Sequence, residues 1–138
     1  MSKELLQKIN IVFMTILIIV DLFLRFFFRD GMFRCRYNEG IAFGIALVNV
    51  EIIIFFFLIL ITLIILRSFK DMKVSFLKVN LPFLWLFGLM NLVERLVYGS
   101  ICDHIHFDLV GISFNLADLG ISLIIIIFSL AIIKEDAK

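Results

Sequence analysis

Apolar residues dominate four long stretches of this chain, at 9–28, 46–66, 81–98 and 112–133, and each is close to the roughly 20 residues that a helix needs to cross a bilayer. Polar residues gather between them, in a first loop from Arg29 to Gly44, a basic loop from Arg67 to Lys78 and a short loop from Gly99 to Gly111. The pattern predicts an all-α integral membrane protein, one membrane domain over residues 1–138 with four transmembrane helices. The first stretch follows Lys3 and Lys8 as a secretory signal would, but it is long and no small-residue cleavage site follows, so it reads as a retained span.

Composition agrees with the pattern. Hydrophobic residues make up 63% of the 138 and charged residues 18%, against about 45–50% and 25% in a soluble domain. The mean hydropathy is +1.15. The net charge of +1 is laid out unevenly: Lys3, Lys8, Arg67, Lys70, Lys73, Lys78, Lys134 and Lys138 fall on one side of the spans, and Arg29, Arg34 and Arg36 on the other. Positive residues are retained on the cytoplasmic side, which predicts cytoplasmic N- and C-termini and gives no reason to expect a nucleic-acid partner. Cys35 and Cys102 then face the oxidising side. A disulfide between them is topologically allowed, but two unpaired thiols are the expected state.

Ionisable groups inside a bilayer cost on the order of 2.5–3.5 kcal/mol each on insertion scales, so those present tend to face a cavity or one another. Asp21, Arg25, Asn91, Glu94, Arg95, Asn115 and Asp118 all fall in the outer halves of the first, third and fourth stretches, with Asp103 just beyond the third. One polar pocket, opening outward, is predicted. Residues three or four apart share a helix face, which pairs Asp21 with Arg25, Asn91 with Arg95, and Asn115 with Asp118. A fourth helix starting near Ile112 would put Asp118 about 10 Å below its outer end, where Asp103, 15 positions earlier, can dip to meet it.

Two facing carboxylates do not both ionise easily, so one keeps a proton while the other acts as a base on water. The neutral acid polarises a scissile carbonyl, the ionised one takes the proton of the attacking water, and the roles reverse as the amine leaves. Asn and Arg neighbours would orient the pair and stabilise charge. Pattern and spacing alone leave a second reading open, in which the polar residues lock a helix bundle together.

At these residues the sequence resembles the lipoprotein signal peptidase (signal peptidase II) family. Phe114, Asn115, Leu116, Ala117 and Asp118 are similar to the family's FN-x-AD motif around its second catalytic aspartate. The run from Asn91 to Asp103, N-L-V-E-R followed by G-S-I-C-D, resembles the N-L-I-D-R and G-x-V-x-D elements and sets Asp103 at the first catalytic position. Asn38, Gly40, Ala42 and Phe43 resemble an N-x-G-x-A-F segment, and Asp21 with Arg25 an Asp followed four residues later by Lys. Glu94, Met90, His104 and Arg25 depart from the usual residues, and the link between the two aspartates is short for the family.

The resemblance implies a metal-independent aspartic peptidase without cofactors. Its substrate would be a diacylglyceryl prolipoprotein, cut just before the lipidated cysteine, and its site would be multi-pass in a bacterial inner membrane and face outward. Asp103 and Asp118 would be catalytic, with Asp21, Arg25, Asn38, Gly40, Asn91, Arg95, Asn115 and Ala117 binding substrate or supporting the pair. Residues 37–44 would form a small extracytoplasmic β cradle in which Asn38 contacts substrate backbone. Membrane lipid is the other expected partner, and a monomer the expected state.

Three rival readings stand beside this. Cys102, Asp103, His104, His106 and Asp108 are metal-ligating types, but they read more simply as a solvated loop. A noncatalytic scaffold or small transporter subunit would use the pocket for an ion or lipid, although a transporter usually shows an internal repeat and this chain shows none. An inactive relative would bind lipoprotein precursors without cutting them.

Overall fold

The structure is a computed structural model that describes residues 2–29, 31, 34–39, 50–68 and 75–136. Among these there are four α-helices: α1 (Lys3–Arg29), α2 (Val50–Ser68), α3 (Ser75–Tyr98) and α4 (Leu116–Asp136). Four short strands lie outside them: β1 (Arg36–Asn38), β2 (Ile101–Asp103), β3 (Ile105–Phe107) and β4 (Ile112–Phe114). The helices over Glu4–Arg29 and Val79–Tyr98 are long and apolar enough to cross a membrane, while the apolar segments Ile52–Leu63 and Leu116–Leu130 are shorter.

The predicted helix starts need one correction. α4 does not begin near Ile112: residues 112–114 are a strand, and the helix starts at Leu116. Asp118 is therefore in the first turn of α4 and not deep along it. The start expected at Ala46 lies outside the described residues. α1 opens on Ser2, whose Oγ accepts the backbone N–H of Leu5 at 3.2 Å, an ordinary N-cap. α3 closes at Gly99, which sits at φ 75° and donates its N–H to the Arg95 carbonyl at 2.7 Å; a left-handed residue there ends the helix at little steric cost.

α3 packs against each of the other three helices, and α1 also against α4. Two glycines permit the closest approaches. A Cβ on Gly88 would stand 2.6 Å from the Leu58 side chain of α2, and a Cβ on Gly120 of α4 would stand 2.4 Å from the Phe87 ring. Small residues at helix contacts are how apolar helices approach when lipid offers no hydrophobic drive. The core is Met14, Leu84, Phe87, Ala117 and Ile124.

The rest of the burial pattern is inverted relative to a soluble bundle. Phe26, Phe56 and Leu130 face outward at 65%, 64% and 61% exposure, while Asp21, Arg25, Asn91, Glu94 and Arg95 are buried. Apolar exteriors and paired polar interiors suit lipid as solvent.

The small β element is two antiparallel pairs. β1 pairs with β2, Tyr37 opposite Cys102, and β3 with β4, Ile105 opposite Phe114. The β3–β4 hairpin turns through a 3-10 helix at Asp108–Val110 and Gly111 at φ 66°. That turn folds the chain back on itself, so Asp103 at its start and Asn115 at its end become neighbours.

Candidate active site

The site is built on the start of α4. Asn115 precedes the helix, and its Oδ1 accepts the backbone N–H of Asp118 at 2.9 Å; Asp118 Oδ2 in turn accepts the backbone N–H of Asn115 at 3.4 Å. This is a reciprocal capping box, with Asn and Asp in the usual places of Ser/Thr and Glu/Gln. The N–H between them, of Ala117, donates to Asp21 Oδ1 of α1 at 3.2 Å. Ala117 is fully buried, which is why a small side chain stands there. The partial positive charge of a helix N-terminus favours carboxylates in this position.

Asn115 also holds the other aspartate. Its Nδ2 donates to Asp103 Oδ1 at 3.2 Å, so a single residue reaches both carboxyls, Asp103 through its side chain and Asp118 through its backbone N–H. Asp103 Oδ2 accepts from Asn38 of β1 and from Ser113 of β4, each at 3.3 Å. Asp103 is fully buried. Burial raises its carboxyl above the ordinary value, against the opposing pull of hydrogen bonds from Asn115, Asn38 and Ser113 and of the Arg25 charge.

Asp118 is held from the opposite side by a line of polar contacts. Its Oδ1 accepts from Asn91 at 2.7 Å, and the Asn91 Oδ1 accepts from Arg25 at 2.5 Å. Arg25 also donates to Asp21 at 2.5 Å and to Glu94. Glu94 takes Arg29 as well, together with the backbone N–H of Cys102 at 3.0 Å. Buried charges of both signs are thus paired, as a low-dielectric interior requires.

A cavity of about 1040 Å³ opens beside these groups. Asp118, Asn91 and Arg95 line it on the helices, Tyr37 and Asn38 on β1, Ser113 and Phe114 on β4, with an apolar wall from Ile53, Ile54, Phe57 and Leu58 of α2. Asp103 is not on its surface and lies behind Asn38 and Ser113.

Of the residues singled out in the sequence, Asp21, Arg25, Asn38, Asn91, Asn115, Ala117, Asp103 and Asp118 meet here, and Arg95 lines the cavity. Gly40 lies outside the described residues, as do Ala42 and Phe43. Asn38 donates to Asp103. Glu94, expected in the polar pocket but given no supporting role, ties Arg25 and Arg29 to the Cys102 N–H; Arg29 and Ser113 were not among the expected site residues, and Ser113 carried no local signal.

The expectation of free thiols is overturned: Cys35 and Cys102 form a disulfide. The metal reading accordingly loses the Cys102 thiolate. His104 packs inside, with its Nε2 3.7 Å from Asp21 and its ring 5.7 Å from that of Phe28. Burial lowers its basicity more than Asp21 restores it, so at neutral pH this contact is not an ion pair.

A solved structure described as a bacterial membrane enzyme, determined by the in meso method, superposes with a TM-score of 0.71. It covers 94% of this chain and 90% of its own at 20% identity, a likeness of fold. A search of curated proteins finds no match. The sequence profile of signal peptidase (SPase) II, an aspartic peptidase family, matches residues 11–134. With nine-tenths of its length accounted for in this way, the chain belongs to the signal peptidase II family.

Proposed function

We propose that this protein is an intramembrane aspartyl endopeptidase that removes the signal peptide from diacylglyceryl-modified prolipoproteins. The observation that carries the reading is Asn115, which hydrogen-bonds Asp103 through its amide nitrogen and the Asp118 N–H through its amide oxygen. It brings two carboxyls together, Asp118 on the cavity wall and Asp103 behind Asn38 and Ser113. One of the two carboxyls keeps the proton and polarises the scissile carbonyl, while the other takes a proton from water. The apolar wall on α2 suits the acyl chains or the apolar signal segment. In this reading all four helices cross a bacterial inner membrane as one domain, both termini are cytoplasmic, the site faces outward and the protein acts as a monomer.

One observation favours a rival: the enclosure of Asp103 behind Asn38 and Ser113 suits a relative that binds precursors without cutting them. Cleavage of a diacylglyceryl prolipoprotein by purified protein separates the two. We expect cleavage by the wild type, loss of at least about 10³-fold in Asp103→Asn and Asp118→Asn, and no effect of a chelator. A folded wild type that retains the precursor uncut would establish the binding reading instead.

A further inference from the structure

One turn along α4 from Asp118, Ser122 lines the same cavity. Residues four apart share a helix face, so the two side chains stand in one row, about 6 Å apart along the axis. Ser122 is exposed, and among the described residues its hydroxyl has no hydrogen-bond partner. Two other hydroxyls of the bundle are engaged by their own helices: Thr62 donates to the Leu58 carbonyl at 2.7 Å and Ser129 to that of Ile125 at 2.9 Å.

The surroundings of Ser122 are apolar. Gly88 of α3 comes one turn before Asn91, which bonds Asp118, and so lies at the level of Ser122. Leu58 of α2 packs on Gly88, and Phe57, Ile61 and Ile121 line the cavity with them. Asn91, Asn38 and Ser113, by contrast, are polar lining residues that bond the carboxyl pair itself.

An unengaged hydroxyl in an apolar wall is available to whatever enters. A peptide bond held inside a helix is closed to attack, so the signal segment must leave its helix before the cut. The last four carbonyls of a helix have no partner within it, and away from water an unpaired carbonyl is costly. The wall that receives that last turn therefore needs a donor.

We infer that Ser122 is a substrate-binding residue for the signal segment, its hydroxyl donating to a backbone carbonyl about two residues before the scissile bond. This rests on the peptidase reading. The register follows from the spacing: an extended chain advances about 3.3 Å per residue, so one helical turn from Asp118 spans about two residues of substrate.

The test uses synthetic diacylglyceryl prolipopeptides. The bond forms when the segment is seated and persists through the reaction, so Ser122→Ala should raise KM about fivefold and leave kcat within about twofold. Ser122→Thr keeps the hydroxyl and should hold KM within about twofold of the wild type. A second set of peptides carries a single backbone ester, whose carbonyl is a weaker acceptor than an amide's, at successive positions before the cut. The ester about two residues upstream should raise KM for the wild type and add little in Ser122→Ala, since both changes remove one interaction. An unchanged KM in Ser122→Ala, or ester effects that multiply independently with Ser122→Ala at every position, would overturn the inference.

If the wild type cuts nothing, the peptidase reading alone has failed. Equilibrium binding of the same peptides, fluorescently labelled, then decides the contact: weaker binding by Ser122→Ala that is coupled to the ester supports it, and equal binding by the two proteins refutes it.

Discussion

At the scale of single residues, Asp103 is a fully buried carboxyl raised by that burial. A carboxyl whose folded value is raised keeps its proton longer folded than unfolded. Its contribution to stability is therefore full below about pH 4 and is lost as pH climbs through the raised value. Asp103→Asn cannot ionise, so its melting temperature should gain on that of the wild type as pH rises from about 4 to 8. A difference that stays flat across that range would show that burial is not the controlling influence on Asp103. The identities of both aspartates were legible in the sequence as costly residues grouped at one end of the spans. The cover over Asp103 was not, because Asn38 stands 65 positions away with no local feature to mark the contact.

At the scale of elements, the start of α4 does two jobs. The N-L-A-D run at 115–118 is a capping signature as well as a family motif; apolar periodicity running on through 112–114 obscured the true helix start. Asn115→Ser retains an oxygen for the Asp118 N–H and loses the amide to Asp103, whereas Asn115→Ala loses both. We expect alanine to cost about 1 kcal/mol more stability than serine, and both to lower cleavage about tenfold or more. Equal melting of the two variants would remove the cap from the account. Helix contact is equally specific at Gly120: Gly120→Val drives a Cβ into the Phe87 ring and should destabilise by about 1–3 kcal/mol by thermal unfolding in detergent.

Over the whole molecule, Glu94 joins α1, α3 and β2 by accepting from Arg25, Arg29 and the Cys102 N–H. Glu94→Leu leaves two arginines facing a buried gap, and breaking such a pair costs about 3–5 kcal/mol. A loss under about 1 kcal/mol would mean that solvent reaches this cluster. The proposed orientation has its own check in intact cells. A cysteine at Asp108→Cys should react with a membrane-impermeant maleimide, and one at Ser2→Cys only after permeabilisation, the native pair being already bonded to each other.

By itself the sequence determined the solvent, the number of helices among the described residues and most of the polar residues that converge from them, because hydropathy and helical spacing are local properties that need no partner. Tertiary structure decided where α4 begins, that the two cysteines are joined, and that Glu94 and Asn115 are the junctions of the site. These depend on contacts between segments as far as 96 positions apart, as between Asp21 and Ala117. Which donor meets which buried carboxyl is settled only when the helices close against one another.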